Sequence, residues 1–434
     1  MQEWGASRVA EAAGARLAGP APEGAGGPAR VVIDSREAGP GDLFVGLPGE
    51  HADGGGFAAQ ALAAGAWGVL VAPEHAEAAR CAKPGALLAA ADPLAALGRL
   101  ATAWRRELAC PVVGITGSVG KTSTKDLLAA MLAPQRRVVA SPQNWNTEIG
   151  LPLVVLSAPP GTEVLVLEMA MRGAGQIAEL AAIAEPDVGV ITNVGPVHLE
   201  LLGSIEAIAA AKAELVAGLR AGGTAVVPAG EALLEPHRRP DVQTVTFGEG
   251  GDVDALPGGL EVPFSSAHMR RNALAALAAA RAIGVEPAGE LHVELSELRG
   301  QRLELPGDVL VIDDCYNANP MSMRAALDDL AASASGRRVA VLGDMLELGP
   351  DERRFHAEIG AHAHDAGVDL LVTVGPLAQH IGAGHAGAVH AVADAAAAAE
   401  LVPGLLEPGD TVLVKASRGV GLEVVARALR ARAA

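Results

Sequence analysis

The sequence predicts an α/β protein made of three domains with parallel sheets. Short runs of β-branched and other apolar residues alternate with alanine-rich stretches along the whole chain, a pattern typical of parallel strands joined by crossover helices. A chain of 434 residues has room for roughly two to four domains. Two breaks in the pattern divide it into predicted domains at residues 1–109, 110–299 and 300–434.

The predicted strands are the apolar runs, and most of them end in polar residues or glycine. In parallel α/β sheets, ligands bind beyond the carboxyl ends of the strands, so we expect the functional side chains there. The runs occupy residues 31–35, 67–72, 111–116, 164–169, 188–194, 309–314, 338–344, 370–375 and 411–417.

Each domain boundary lies where a helix or a polar stretch gives way to a new strand. The first follows the predicted helix around Trp104 and precedes the strand that starts at Pro111. The second lies in the polar stretch RGQRLELPGD at 299–308, before the next strand. The alanine-rich tract ADAAAAAEL at 393–401 predicts a helix, because alanine is the strongest helix former.

Composition excludes several classes of protein. A formal net charge of −18 argues against a nucleic-acid surface, because binding to a phosphate backbone needs a basic patch. The apolar runs are shorter than the ~20 residues of a membrane helix, and residues 1–14 lack a basic flank with an apolar core. The three cysteines, Cys81, Cys110 and Cys315, have no metal-type spacing. We therefore expect a soluble, cytoplasmic protein without disulfides or a zinc site. We also expect a monomer, although the composition leaves the oligomeric state open.

The most informative stretch is GITGSVGKTSTK at 114–125, which follows an apolar run. Its glycines let the backbone turn sharply and present amides to an anion at a helix N-terminus, and Lys121 and Thr122 suit the phosphates and a magnesium ion. Ile115 stands where the strict motif has its first glycine, so an ordinary glycine-rich turn is the alternative. The predicted nucleotide-binding residues are Gly117, Ser118, Val119, Gly120, Lys121, Thr122 and Ser123.

Three further residues follow in the predicted central, P-loop-type ATPase domain. Glu168 ends a predicted strand and is a natural magnesium ligand, because this ion prefers carboxylate oxygens and phosphates. His198 follows another strand and Lys212 lies in the helical run AIAAAKAEL. Taken alone, a histidine there is more often structural and a lysine in such a helix is normally solvated.

Together these motifs resemble the Mur ligase family, the ATP-dependent amide-forming enzymes of peptidoglycan precursor synthesis, over essentially the whole chain. The resemblance implies that TGSVGKT is the ATP loop and that NWNTEIG at 144–150 is the next signature, with Asn146 and Thr147 near the substrate. It also implies that Lys212 is carbamylated to N6-carboxylysine. The implied metal ligands are Thr122, Glu168, His198 and Lys212, and the implied catalytic residues are Lys121, His198 and Lys212.

The C-terminal third narrows the resemblance within the family. The segments DDCYNANPMSM (313–323), LGDMLELG (342–349), HAEIG (356–360) and VLVKASRGVGLE (412–423) resemble members that join D-alanyl-D-alanine to UDP-N-acetylmuramoyl tripeptide. This implies a Rossmann-like C-terminal domain and a small N-terminal α/β substrate domain. Residues 34–57 are similar to the family segment that holds the UDP group, but Asp53-Gly54-Gly55 lacks the histidine of the usual aspartate-glycine-histidine run.

The resemblance also assigns individual contacts. It implies Asn272 for adenine, Arg302 for the ATP phosphates, and Asp314, Tyr316, Asn317 and Asn319 for the ribose and base side of ATP. It implies Ser35 and Arg36 for the UDP-sugar, and Lys415 and Arg418 for a peptide carboxylate. Taken as residues alone, Asn317 to Pro320 is also a good turn and helix cap, Asp344 and Glu347 could face solvent, and Lys415 and Arg418 could be a surface pair.

The implied activity is an ATP-dependent ligation through an acyl phosphate, with ATP, Mg²⁺, UDP-N-acetylmuramoyl-tripeptide and D-alanyl-D-alanine as ligands and no nucleic acid or membrane as partner. Closure of the third domain would keep water from the acyl phosphate. The nearest alternatives are a tripeptide-forming ligase of the family and a folylpolyglutamate synthetase. A non-catalytic nucleotide-dependent regulator would not need Glu168, His198 and Lys212 together.

Overall fold

The computed structural model of the protein describes residues 1–19, 26–82, 84–264, 266–293, 296 and 298–433. In the N-terminal part, a sheet has the strand order β1-β5-β4-β3-β2, in which only the β1–β5 pair is antiparallel. Its elements are α1 (Ala6–Ala13), β1 (Arg16–Leu17), β2 (Arg30–Val32), β3 (Asp42–Val45), α2 (Ala58–Ala63), β4 (Gly68–Val71), α3 (Pro73–Ala78), β5 (Ala86–Ala89) and α4 (Pro93–Leu108).

Helix α4 connects this part to the next. Asp92 accepts a hydrogen bond from the backbone of Ala95 and Pro93 occupies the first turn, both typical of a helix start. The buried Trp104 donates through Nε1 to the carbonyl of Ala158 at 2.9 Å. The buried Arg105 donates to the carbonyl of Ala184 at 2.9 Å. Both bonds cross from α4 to the central part of the chain.

The central part contains a fully parallel sheet with the order β11-β10-β9-β6-β8-β7. Because β6 lies between β8 and β9, the strand order reverses there, which is where α/β sheets bind ligands. The elements are β6 (Val112–Thr116), α5 (Lys121–Leu132), β7 (Val138–Ala140), α6 (Gly150–Ser157), β8 (Val164–Glu168), α7 (Gln176–Ala184), β9 (Val188–Ile191), α8 (Leu199–Leu202), α9 (Ile205–Ala217), β10 (Thr224–Pro228), β11 (Gln243–Phe247), β12 (Leu260–Glu261), α10 (Ala267–Ala282) and β13 (Gly289–Glu290).

The C-terminal part contains a third sheet with the order β14-β15-β19-β16-β17-β18, parallel except for the β14–β15 pair. Helices cover both of its faces, each with its own apolar cluster. The elements are β14 (Gln301–Leu305), β15 (Val309–Asp313), α11 (Pro320–Ser333), β16 (Arg338–Gly343), α12 (Glu352–Asp365), β17 (Leu370–Val374), α13 (Gln379–Gly384), β18 (Ala388–Val392), α14 (Ala395–Leu401), β19 (Thr411–Lys415) and α15 (Glu423–Ala433).

The α/β class and the parallel sheets are confirmed. Every predicted apolar run contains a strand, and the polar residues at the run ends lie mostly outside it, as in β9, which stops at Ile191 before Asn193. The polar stretch at 299–308 holds a strand that the sequence did not predict, because β14 alternates between half-buried and exposed residues at the sheet edge. No helix in the described part of the chain has the length and apolar character to span a bilayer.

Candidate functional site

The predicted phosphate loop at 117–123 connects the end of β6 to the first turn of α5. Gly117 and Gly120 have φ values of +151° and +81°, which favour glycine. A Cβ on Gly117 would lie 1.9 Å from Oγ1 of Thr192, and one on Gly120 would lie 2.5 Å from Oδ1 of Asn272. Both positions therefore require glycine, and Asn272 of α10 lies against the loop itself.

Residues that follow β9 hold this loop in place. The backbone N–H of Val119 donates to Oδ1 of Asn193 at 2.9 Å, and Oγ1 of Thr192 donates to the carbonyl of Val119 at 2.6 Å. The hydroxyl of Ser118 donates to the carbonyl of Gly195 at 3.0 Å. The loop is therefore braced by the protein itself, which suits a preorganised anion site at the start of α5.

Glu168, at the end of β8, is fully buried beside this loop. Its Oε2 accepts a hydrogen bond from Oγ1 of Thr122 at 2.8 Å, and its Oε1 accepts one from Nδ2 of Asn146 at 2.8 Å. Buried carboxylates need such partners, because an unpaired one is costly to desolvate. The predicted Thr122, Asn146 and Glu168 thus form one hydrogen-bonded group.

Two lysines and a histidine lie within electrostatic reach of one another. Nζ of Lys121 donates to the carbonyl of Gly117 at 2.9 Å; burial lowers the pKa of Lys121 and the nearby Glu168 opposes this shift. Lys212, on α9, is 1% exposed and has no hydrogen bond or ion pair with the residues that the structure describes. Burial lowers the pKa of Lys212 well below its usual range, and the charge of Lys121 adds to the shift.

His198 lies directly before α8 and bonds to the C-terminal part of the chain. Its Nδ1 is 2.5 Å from Oε2 of Glu347. Burial lowers the pKa of His198, the hydrogen bond to Glu347 opposes this shift, and the charges of Lys121 and Lys212 add to it. The environment therefore favours the neutral imidazole, the form that can ligate a metal.

On the C-terminal side, the predicted Lys415 is already paired. It is 2% exposed, and its Nζ donates to Oδ2 of Asp314 at 2.5 Å and to the carbonyl of Asn317 at 2.9 Å. Asn319 caps α11 through a hydrogen bond from the backbone of Ser322 at 2.9 Å, so the helix-cap reading of this residue is correct. The surface-pair reading of Lys415 is wrong, because its ammonium group is buried and organises the turn that follows β15.

Two arginines near β14 differ in their surroundings. The guanidinium of Arg299 lies over the ring of Tyr316, 3.8 Å from its centroid, in the geometry of a cation–π contact. Arg302 donates instead to Asp329 at 3.0 Å and to Ser333 at 2.8 Å. Arg302 is the residue predicted for the ATP phosphates, yet Arg299 is the arginine whose charge reaches Lys121.

Most predicted site residues meet at one cavity of about 980 Å³ between the central and C-terminal parts. Gly117, Thr122 and Lys212 do not line it, but each contacts or faces a residue that does. The predicted residues in its wall are Ser118, Val119, Gly120, Lys121, Ser123, Asn146, Thr147, Glu168, His198, Asn272, Arg302, Asp314, Tyr316, Asn317, Asn319 and Lys415.

The remaining predicted residues lie away from this cavity. Arg36, predicted with Ser35 to bind the UDP-sugar, is exposed beyond β2 and pairs with Asp34 at 2.5 Å. The side chain of Arg418 is 61% exposed and lies 3.7 Å from Glu423. Both arginines are accessible to a ligand, but the structure does not bring them to the phosphate loop.

Three family models match the chain in order along its length: Mur ligase family, catalytic domain, at residues 29–105; Mur ligase middle domain, at 115–259; and Mur ligase, glutamate ligase domain, at 298–418. The UDP-N-acetylmuramoyl-tripeptide--D-alanyl-D-alanine ligase of Synechocystis is 40% identical over 419 residues, which cover 92% of both chains. The chain belongs to the Mur ligase family.

Solved structures of Mur ligases agree with the fold. MurF from Acinetobacter baumannii has a TM-score of 0.88 and 30% identity, covering 98% of this chain and 99% of its own. MurF from Thermotoga maritima in complex with ADP has a TM-score of 0.79 and 31% identity, covering 93% of this chain and 98% of its own.

In the N-terminal part, a histidine from another element lies beside the Asp53-Gly54-Gly55 segment. Gly55 follows Gly54, and the ring of His75 from α3 fills the space beside Gly55. A Cβ on Gly55 would lie 2.3 Å from Cδ2 of His75. Nε2 of His75 is 2.9 Å from Oδ2 of Asp53. This hydrogen bond lowers the pKa of the Asp53 carboxyl. A histidine from another element thus lies next to the aspartate of the motif.

The residues around Glu168 fit a magnesium ion that also binds phosphates. The Glu168 carboxylate and the Thr122 hydroxyl are adjacent oxygen donors, the hard ligands that Mg²⁺ prefers. Within the described ranges, no group of three or more His, Cys, Asp or Glu residues converges on one point. This chemistry fits Mg²⁺ bound by one or two protein carboxylates and by nucleotide phosphates, rather than a complete protein cage.

Sequence reasoning missed Arg299 and His75 and left Glu347 as a residue that could face solvent. Arg299 lies in the polar stretch 299–308, which the sequence marks only as a domain boundary. Arg302 lies three positions later in the same stretch, and nothing in the sequence distinguishes the two arginines. His75 lies in a helix 22 residues after Asp53. Only the packing of distant elements reveals these contacts.

Proposed function

We propose that this Mur ligase joins D-alanyl-D-alanine to UDP-N-acetylmuramoyl tripeptide at the cost of ATP. The observation that carries the proposal is the cavity, which the phosphate loop, Glu168 and His198 of the central part share with Tyr316 and the rest of the YNANP turn of the C-terminal part. Relatives with the full-length match carry the name of this activity. The chain would act in the cytoplasm, where ATP and the nucleotide-sugar are available, and as a monomer.

In the first step, the terminal carboxylate of the tripeptide attacks the γ-phosphate of ATP. The new O–P bond forms as the bond to the β-phosphate oxygen breaks, which leaves an acyl phosphate and ADP. In the structure Nζ of Lys121 donates to the carbonyl of Gly117. During the reaction it would donate to the transferring phosphoryl oxygens instead. Thr122 and Glu168 would hold a magnesium ion, which would offset negative charge on these oxygens.

In the second step, the free amine of D-alanyl-D-alanine attacks the acyl carbon, and the tetrahedral intermediate expels phosphate. The amine must lose a proton during this step, and His198 is one candidate acceptor while its Nε2 is free of metal. Positioning of the two reactants can contribute as much as ~7 to 11 kcal/mol. Water would hydrolyse the acyl phosphate, so the C-terminal domain should close over the cavity during the reaction. Small-angle scattering with and without ligands tests this closure, and an unchanged profile would argue against it.

Lys212 is proposed to carry a carbamate. Its low pKa and the lack of a bonded partner among the described residues favour the neutral amine, which adds to CO₂ with release of one proton. The product is an anion beside His198 whose charge the ammonium group of Lys121 would offset. It would join Thr122, Glu168 and His198 in holding metal near the phosphates.

The remaining roles are proposals of the same kind. The wall residues Arg302, Tyr316 and Asn272 would contact the nucleotide, and Asn272 is placed next to Gly120 of the phosphate loop. Asp314, Asn317 and Asn319 would contact the ribose and base side of ATP. Lys415 fixes the turn that contains them through its hydrogen bonds to Asp314 and to the carbonyl of Asn317. Lys415 and Arg418 would meet a peptide carboxylate, Lys415 from the wall of the cavity and Arg418 from the exposed surface. Ser35 and Arg36 would hold the UDP-sugar, and Asn146 and Thr147 the peptide. The three domains would span residues 1–109, 110–299 and 300–434.

One assay tests the proposal: phosphate release from ATP in the presence of UDP-N-acetylmuramoyl tripeptide, with D-alanyl-D-alanine compared with single amino acids. We expect turnover that depends on both substrates and a product that contains the dipeptide. Equal turnover with D-alanine or glutamate would contradict the assignment and favour another amide ligase of the family or a folylpolyglutamate synthetase.

A further inference from the structure

We propose that Glu347 is a positioning residue that orients His198 toward the metal and the phosphates, so that this ligand is set only when the C-terminal part is docked. The proposal rests on the proposed function, and it adds a role for a residue of the LGDMLELG segment. Its basis is one hydrogen bond between residues 149 positions apart in the chain, together with the packing around it.

The hydrogen bond fixes which nitrogen of His198 is available. A carboxylate oxygen accepts hydrogen bonds, so Nδ1 of His198, 2.5 Å from Oε2 of Glu347, carries the proton. The lone pair of the neutral ring is then on Nε2. Histidines that bind metals almost always donate their other ring N–H to a carboxylate, a carbonyl or water, which sets the ring orientation. His198 lines the cavity, and Glu347 supplies this second contact.

The backbone at both ends of this bond is unusual. His198 has φ of +53° and Glu347 has φ of +62°, in the left-handed region that is uncommon for residues other than glycine, although asparagine, aspartate and histidine adopt it more often than the rest. Such conformations persist where the surroundings impose them, and they cluster at functional sites. Two of them lie at the two ends of a single hydrogen bond, on opposite sides of the interface between the central and C-terminal parts.

The segments around both residues are packed together. Leu199, next to His198, packs against the apolar cluster of the C-terminal part that contains Leu348. Gly349 lies against Glu200: a Cβ on Gly349 would be 3.5 Å from Cα of Glu200. The segments that carry His198 and Glu347 are therefore in contact across the interface.

The loop that carries Glu347 is anchored from within the C-terminal part. The backbone N–H of Met345 donates to Nε2 of the buried His356 at 2.9 Å, and that of Leu346 donates to Oγ of Ser417 at 2.9 Å. Glu347 is thus presented on a fixed loop rather than on a flexible one. If the C-terminal part moved away, His198 would lose its Nδ1 partner and the ring would be free to turn.

The test compares Glu347→Ala, Glu347→Gln and a matched control, Glu200→Gln, which removes an exposed negative charge on the same interface. The probe is Mn²⁺ titrated into the full chain with a non-hydrolysable ATP analogue and followed by electron paramagnetic resonance. His198→Ala defines the Mn²⁺ signal that depends on this histidine. We expect Glu347→Ala to weaken that binding by about 10- to 100-fold.

The conservative variants give the specific signature. Glu347→Gln should restore most of the affinity, because its amide oxygen can still accept from Nδ1, and Glu200→Gln should leave the affinity unchanged. In the His198→Ala background, Glu347→Ala should have no further effect. Wild-type Mn²⁺ affinity in Glu347→Ala, or an equal loss with and without His198, would overturn the proposal. Because the titration needs neither peptide substrate, its result is separate from the ligase assay.

Discussion

The hydroxyl of Thr122 donates to Oε2 of Glu168 at 2.8 Å and thereby joins the first turn of α5 to the end of β8. Both groups are fully buried. The bond pairs the hydroxyl of the phosphate-loop motif with a buried carboxylate beside the loop. We infer that the Thr122 hydroxyl and the Glu168 carboxylate together hold the nucleotide-bound magnesium, and that loss of either group weakens the binding of the metal.

Replacing Thr122 with valine tests this pairing. Valine matches threonine in shape but leaves Oε2 of Glu168 without a donor, so the free energy of unfolding should fall by about 1 to 3 kcal/mol. ATP turnover should fall at least about tenfold, because a metal contact is lost. Thr122→Ser keeps the hydroxyl and is the control in urea unfolding and phosphate release. Wild-type activity in Thr122→Val would show that the hydroxyl is not needed.

Lys212 should be the site at which CO₂ adds to this protein. Protein incubated with ¹³C-bicarbonate is expected to show one carbamate resonance, absent from Lys212→Ala, because burial keeps the amine of Lys212 neutral by lowering its pKa. Lys125 is the internal control: it is also buried, at 3% exposure, but its Nζ donates to the carbonyl of Ser141 at 2.7 Å.

The same variant has a functional readout. Lys212→Ala should lose ligase activity, and short carboxylic acids should restore part of it by supplying the missing anion. Full activity of Lys212→Ala, without or with added acid, would contradict the carbamate.

The phosphate loop could be predicted from sequence because its chemistry is local. Gly117, Gly120, Lys121 and Thr122 lie close together in the sequence, so their spacing alone determines the shape of the loop. The closeness of Glu168 to this loop could also be expected, because adjacent parallel strands bring their carboxyl ends to the same sheet edge. The nine apolar runs predicted strands for the same reason, because each run is a continuous local stretch of the sequence.

What could not be predicted depends on packing between distant segments. Arg299 and Arg302 lie three residues apart, yet one covers Tyr316 and the other pairs with Asp329. Arg302 lies on the edge strand β14 and Arg299 precedes it, so the two side chains meet different neighbours. The bond between His198 and Glu347 likewise depends on how the C-terminal part docks, which no spacing in the sequence encodes.

The buried His356 should make the stability of the C-terminal part depend on pH. Its Nδ1 donates to the carbonyl of Glu352 at 2.7 Å and its Nε2 accepts from Met345, so both nitrogens are occupied in the neutral ring. Burial lowers the pKa of His356 below its ordinary value of 6.5. Between the two values the unfolded chain binds more protons than the folded one, so the free energy of unfolding should fall as pH falls below 6.5.

Urea unfolding from pH 8 to pH 5 measures this effect. His356→Gln keeps an oxygen that can accept from Met345 but cannot titrate, so its stability should be lower at pH 8, by about 1 kcal/mol, and should fall less steeply toward pH 5. The control is the exposed His51, replaced in the same way. An unchanged slope in His356→Gln would assign the acid sensitivity to other groups.

Gly55 and His75 should be energetically coupled, because the ring of His75 occupies the space that a side chain at position 55 would need. In Gly55→Ala the new Cβ would lie 2.3 Å from Cδ2 of His75, so the ring must move and its bond to Asp53 must break. The free energy of unfolding should fall by about 1 to 3 kcal/mol. Gly56→Ala is the matched control, because a Cβ there meets nothing within 4 Å.

Removing the ring should relieve the clash. His75→Ala leaves space for a side chain at position 55, so Gly55→Ala should cost much less in that background, with a coupling energy of about 0.5 to 3 kcal/mol in the double-mutant cycle. Urea unfolding of the four proteins measures this coupling. If the two substitutions prove additive, or if Gly55→Ala behaves like Gly56→Ala, the ring of His75 does not fill this space in solution.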